Sequence, residues 1–118
     1  MFKIAKEFHF SASHQLITLP DDHPCRRLHG HNYVIVIEAT SDALNAHGFV
    51  QDYGEFKAIK EWIDTVLDHR HLNDVMGAIS PTAENIALFT WSKWHSHYSL
   101  MTAVRVSETP KTWAEYRG

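Results

Sequence analysis

Two stretches of this sequence alternate strictly, and histidines keep step with the alternation at one end of each. In "FKIAKEFHF", Phe2, Ile4, Phe8 and Phe10 share one parity, while Lys3, Glu7 and His9 share the other. A period of two marks a strand with one buried face. If that strand continues, its apolar parity reaches His14. The second stretch, "HNYVIVIEAT", is rich in β-branched residues, as strands are. Its Tyr33, Ile35 and Ile37 share the parity of His29 and His31. A chain patterned this way is expected to build a sheet whose apolar face runs out into imidazoles.

His29 and His31 then present two rings on one face, with Gly30 leaving room on the other or letting backbone approach closely. An antiparallel neighbour would bring His14 alongside. Three histidines with an open fourth position are the ligand set of a catalytic zinc ion. The only cysteine, Cys25, sits four residues before His29. It could close the shell as a fourth ligand, giving a structural Cys-His₃ site, or stay unligated as a base. Spacing alone leaves both open. Arg26 and Arg27 follow the thiol, and cationic neighbours favour its proton-abstracting thiolate form. Zinc would act as a Lewis acid.

The remaining elements follow from local signals. Asp52 with Glu55 resembles a capping box, and Phe56, Ile59, Ile63 and Val66 repeat at helical spacing, predicting a helix from Tyr53 to Leu67. "VQDY" is expected as a short strand and "DHRHLNDVMGAIS" as an irregular connection. Ser80-Pro81 reads as a helix start with proline in the first position, and Ala83, Ala87, Thr90 and Trp94 give that helix a buried side. "LMTAVRVSET" and "TWAEYR" read as two closing strands. Strand, strand, helix, helix, strand, strand is an α+β order with an antiparallel sheet. The 118 residues are expected to form one domain, with 44% hydrophobic and 21% charged residues.

A net charge of -3 argues against a nucleic-acid binder. No apolar run reaches the roughly 20 residues that span a bilayer, and the N-terminus lacks a signal-peptide layout, so a cytoplasmic protein is expected. The surplus is in histidine, with ten residues. His47, His95 and His97 are expected on the surface.

A second group of chemical residues lies in "LDHRHLND". Asp68 directly precedes His69, and a carboxylate can orient a histidine and stabilise its cation. His71 could serve instead on spacing alone. Glu84 lies in the first turn of the second helix, where acidic residues are favoured anyway. Glu108 has the apolar parity of Val104 and Val106, which suits a buried site for a ligand with donor groups.

"FSASH", "CRRLHGHNY", "LDHRHLND", "PTAEN" and "VSET…YRG", in that order, resemble the 6-pyruvoyl-tetrahydropterin synthase family from about Phe2 to Gly118. The three residues between Cys25 and His29, together with "LDHRHLND", resemble more narrowly its bacterial 6-carboxy-5,6,7,8-tetrahydropterin branch, which serves queuosine (7-deazaguanine) synthesis. The resemblance implies a tunnelling fold, or T-fold: a four-stranded antiparallel sheet with two helices on one side. Its trimers close into barrels, commonly stacked as a homohexamer with active sites between subunits.

It further implies zinc on His14, His29 and His31, with Cys25 as the base rather than a ligand. The family's Asp-His pair falls on Asp68 and His69, its relay glutamate on Glu108, and its pterin anchor on Glu84 with Thr82 nearby. The implied substrate is 7,8-dihydroneopterin triphosphate. Its triphosphate is expected to meet basic residues, with Lys6, Arg26 and Arg27 as candidates. Carboxy-branch enzymes release acetaldehyde and triphosphate, whereas pyruvoyl-type enzymes stop after triphosphate elimination. A non-catalytic zinc-binding module is a further alternative, and it would need no Cys25, Asp68 or Glu108.

Overall fold

The computed structural model describes residues 1–118. Strands β1 (Phe2–His14), β2 (His29–Ser41), β3 (Met101–Thr109) and β4 (Thr112–Arg117) form one antiparallel sheet in sequence order. Helices α1 (Lys57–Trp62), α2 (Leu72–Met76) and α3 (Ala83–Trp94) lie between β2 and β3 in the chain. They cover one face of the sheet.

The alternation in β1 and β2 sets the register. Phe8 pairs with Ile35, Phe10 with Tyr33, Ala12 with His31, and His14 with His29 at the end of the ladder. These residues share the helix-facing side because paired positions in a ladder point the same way. A one-residue slip would turn the whole apolar set out to water. Tyr33, Ile35 and Ile37 are fully buried there, and so is His14. Tyr33 stacks on Phe10 with ring centroids 4.8 Å apart.

The helix-free side also holds one buried charge. Glu38 accepts from Arg117 at 3.0 Å and lies 3.7 Å from the Lys3 ammonium, so β4 and β1 both neutralise a carboxylate on β2. A carboxylate buried without such partners is costly.

Helical backbone runs from Tyr53 to Leu67, as the periodicity predicts, but in three forms. A 3₁₀ turn (Tyr53–Phe56) leads into α1, and a π turn (Ile63–Leu67) follows it. Asp52 caps the start by accepting from the Gly54 N–H at 2.8 Å. The Glu55 carboxylate takes Gln51 instead, so the capping box is only half formed.

Three expectations are corrected. "VQDY" is no strand: Asn45 accepts from the His47 and Phe49 amides and folds that stretch into a loop, which runs straight into the Asp52 cap. The "DHRHLNDVMGAIS" connection contains α2, closed by Gly77 at φ 63°. Helix α3 starts at Thr82 rather than Ser80, with the Thr82 hydroxyl accepting from the Asn85 N–H at 3.2 Å. Pro81 cannot open the helix because its carbonyl is engaged elsewhere, by His14. No helix is long and apolar enough to cross a membrane.

Candidate metal centre

The ladder ends where the imidazoles begin. His14 and His29 are its last pair, and His31 lies two residues further along the same face. The potential ligand atoms of these three residues all lie within 4.8 Å of one another. Their rings meet edge to face, with centroids 4.5 to 5.0 Å apart. Gly30 keeps the strands close: a Cβ there would stand 3.3 Å from the Ala12 carbonyl.

Hydrogen bonds fix how the two closest rings are protonated. The Nδ1 of His14 faces the Pro81 carbonyl at 2.8 Å, and the Nδ1 of His29 faces the Arg27 carbonyl at 2.6 Å. A carbonyl oxygen only accepts, so each Nδ1 carries the proton and donates it. Each Nε2 then bears a lone pair, and the two Nε2 atoms stand 3.0 Å apart. Two lone pairs at that distance repel unless a cation shares them. This donor set fits a divalent ion, with the backbone carbonyls orienting the ligands from behind.

The electrostatics agree. Burial is the largest cause pushing His14 below the ordinary histidine value of 6.5, and the same holds for His31. Both shifts favour the neutral, ligating form. The Glu108 carboxylate opposes them, its Oε2 lying 3.8 Å from His31 Nε2. Tyr33 places its hydroxyl 3.2 Å from His14 Nδ1, and burial raises its phenol above the ordinary range.

Cys25 is half-buried and sits in a 3₁₀ turn (Pro24–Arg26) within the loop that joins the two histidine-bearing strand ends. The Leu16 amide donates to the Cys25 carbonyl at 3.0 Å, which ties the turn to the end of β1. The thiol is not among the donor atoms that meet at the histidine cluster.

Asp68 and His69 follow the π turn directly. His69 has φ 57°, a left-handed backbone uncommon for a residue with a side chain. The neighbouring strand holds this irregular backbone in place. Asp68 Oδ1 accepts from the Ser11 N–H at 2.9 Å, and the His69 N–H donates to the Ser11 carbonyl at 2.7 Å. The Ser11 amide, followed by the His69 side chain, holds the Asp68 carboxyl below its usual range. The other oxygen, Oδ2, lies 2.8 Å from His69 Nδ1, so the His69 Nε2 is left facing out from a ring that is 83% exposed. His71 is turned to another task, its Nδ1 lying 3.0 Å from the Ser13 hydroxyl.

Two hollows flank the cluster. One, of about 390 Å³, is lined by His31 and His69 with Ser11, Ser13 and Asn32. The other, of about 350 Å³, brings together Glu84, Glu108 and Thr82 with Leu16, Val106 and Trp113. Among the basic residues, Arg27 is exposed beside His29. Arg26 turns away, its guanidinium reaching the Ile17 and Leu19 carbonyls and Asp21. Lys6 is not brought to the site within the chain. It lies eight positions from His14 along β1, roughly 26 Å at strand rise, in a hollow with Glu7, Lys60 and Asp64.

The sequence reading missed the Pro81 carbonyl and the Tyr33 hydroxyl. The first has no sequence signal, since almost any residue could supply a carbonyl. The second did have one, because Tyr33 shares the parity of the histidines.

Comparison with known proteins places this geometry in context. The profile of the family described as 6-pyruvoyl tetrahydropterin synthase matches residues 3–118. A 6-carboxy-5,6,7,8-tetrahydropterin synthase from Synechocystis is 40% identical over 79% of this chain and 74% of its own length. A 6-pyruvoyl tetrahydrobiopterin synthase from Dictyostelium discoideum is 32% identical over 92% of this chain and 90% of its own. The solved structure of the Caenorhabditis elegans 6-pyruvoyl tetrahydropterin synthase superposes with a TM-score of 0.87 at 27% identity, covering 99% of this chain and 95% of that one.

Proposed function

Since the chain belongs to the 6-pyruvoyl tetrahydropterin synthase family, we propose that it is a zinc-dependent lyase acting on 7,8-dihydroneopterin triphosphate. Its products on this reading are 6-carboxy-5,6,7,8-tetrahydropterin, acetaldehyde and triphosphate, as in queuosine synthesis. The observation that carries the reading is the pair of Nε2 lone pairs 3.0 Å apart, with His31 beside them and a free thiol in the adjoining loop. Six of the relatives found at 29–40% identity bear the carboxy name, one of them as putative, which favours that product over the pyruvoyl one.

His14, His29 and His31 would hold the ion. Once bound, it would polarise the substrate's side-chain oxygens and so acidify the protons on the adjoining carbons. Cys25 Sγ would take one such proton as general base. The His69 Nδ1–H donates to Asp68, whose carboxylate would stabilise the imidazolium; in that cationic form the Nε2–H would return a proton elsewhere on the side chain and leave the ring neutral. Glu108, beside His31 and at the wall of the second hollow, would pass protons between that hollow and the cluster.

Glu84 would accept from the pterin's amino and ring N–H groups, with Thr82 beside it. Leu16, Val106 and Trp113 would give the flat ring apolar walls. Arg27 would meet the triphosphate. His69 and Glu84 are both exposed in the single chain, as expected of a site completed by other copies. A homohexamer of two stacked trimers is therefore part of this reading, as is a cytoplasmic location.

The test is incubation with 7,8-dihydroneopterin triphosphate and measurement of product masses. Acetaldehyde with a 6-carboxy product is the expected result. A pyruvoyl product would move the chain to the other branch. Zinc binding without turnover would leave a non-catalytic metal-binding module.

A further inference from the structure

The loop that carries Cys25 has little apolar burial to hold it. Ile17 is 60% exposed and Leu28 is 64% exposed. Its order rests on polar contacts, and most of those from a side chain come from one residue. The Arg26 Nη1 donates both to the Ile17 carbonyl and to the Leu19 carbonyl, the latter at 2.9 Å. Its Nε lies 3.0 Å from Asp21 Oδ1.

Backbone turns complete the ring. His23 donates to Pro20 at 2.9 Å, Arg26 to His23 at 3.0 Å, and Leu16 to Cys25 at 3.0 Å. The His23 imidazole accepts from the Cys25 N–H at 3.0 Å. Cys25 therefore sits between two anchors, Leu16 on one side and the Arg26 fork on the other.

We propose that Arg26 is a positioning residue, whose guanidinium clasps residues 17–21 and thereby fixes the turn that carries the Cys25 thiol. This rests on the reading of Cys25 as the base. A planar fork can reach two carbonyls and a carboxylate at once, whereas a lysine ammonium cannot hold that geometry. The clasp also gives Arg26 a role other than binding triphosphate, the role its position beside Arg27 had suggested. A base displaced by about 1 Å loses on the order of 10²-fold in rate.

The experiment compares Arg26→Met, Arg26→Lys and Asp21→Asn with the parent chain. It measures kcat, KM, zinc content and amide hydrogen exchange. For Arg26→Met, kcat should fall about 10- to 100-fold, with KM and zinc content unchanged. Exchange should accelerate in residues 16–27 alone. Arg26→Lys should fail to restore kcat, and Asp21→Asn should give a smaller loss of the same kind.

A raised KM with kcat retained, reversed by Arg26→Lys, would assign the residue to substrate phosphate and overturn the clasp. Unchanged exchange in residues 16–27 would overturn it too. Failure of the underlying reading looks different: Cys25→Ala would then turn over like the parent, whatever the exchange of the loop.

Discussion

The proposed metal ligands and the proposed proton-moving groups of this site stand on opposite kinds of backbone. His14, His29 and His31 sit on paired strands, where the ladder dictates both spacing and direction. Cys25 and His69 sit on irregular backbone: a 3₁₀ turn in a loop, and a left-handed residue just past a π turn. Ligands must converge on a point and stay there, which a sheet provides. A base and an acid must approach a substrate from outside the sheet, and turns can carry them there. The price is that each turn needs its own fastening, Arg26 for one and Ser11 for the other.

Separating the two regions by substitution gives the largest expected effect. His29→Ala should lose both zinc and turnover, measured by metal analysis and product formation. Cys25→Ala should keep stoichiometric zinc while kcat falls about 10²- to 10⁴-fold, the usual range for a lost general base. If both variants lost metal, the distinction between strand ligands and loop base would collapse.

Next in size is Asp68→Asn. The amide can still accept from the Ser11 N–H, so the fold and zinc content should hold. It cannot accept from the His69 Nδ1–H in the same way, and the wrong tautomer then faces the substrate. A fall in kcat of about 10²-fold or more is expected, with unchanged thermal melting.

A smaller effect is expected behind the ligands. Tyr33→Phe keeps the stack on Phe10 but removes the hydroxyl beside His14 Nδ1. Zinc affinity, read by chelator competition, should drop about 10-fold, the low end for a lost outer partner. No change would limit the orientation of His14 to the Pro81 carbonyl.

The two regions should also part company in acid. His14 and His31 titrate below 6.5 when folded, whereas the unfolded chain takes up protons near 6.5. The unfolded state then binds more protons, so this contribution is full above 6.5 and is lost as pH falls below it. Asp68 shifts in the same direction for a different cause: the Ser11 amide and the His69 side chain hold its carboxyl below its ordinary 3.8, so its contribution survives until pH drops past that value. Zinc release should therefore begin below pH 6.5, while hydrogen exchange at His69 remains slow down to about pH 4.

The same contrast explains what could be read in the chain. Period-two spacing put His29 and His31 on one face, carried His14 to their level, and found all four strands. The turns were less legible. Nothing in "IDTVL" separates an i→i−5 bond from the ordinary helical one, yet Asp68 N–H donates to the Ile63 carbonyl at 2.9 Å. Ser80-Pro81 has the look of a helix start, but the Pro81 carbonyl serves His14 and Thr82 takes the cap. Arg26 and Arg27 are identical as letters. Only the folded loop shows one turned onto the Ile17 and Leu19 carbonyls and the other left exposed.

X-ray absorption at the zinc edge of the purified chain tests the central claim most directly. Three imidazole nitrogens at about 2.0–2.1 Å, with only light-atom scatterers completing the shell, are expected. A sulfur scatterer at about 2.3 Å would put Cys25 on the metal and contradict the account.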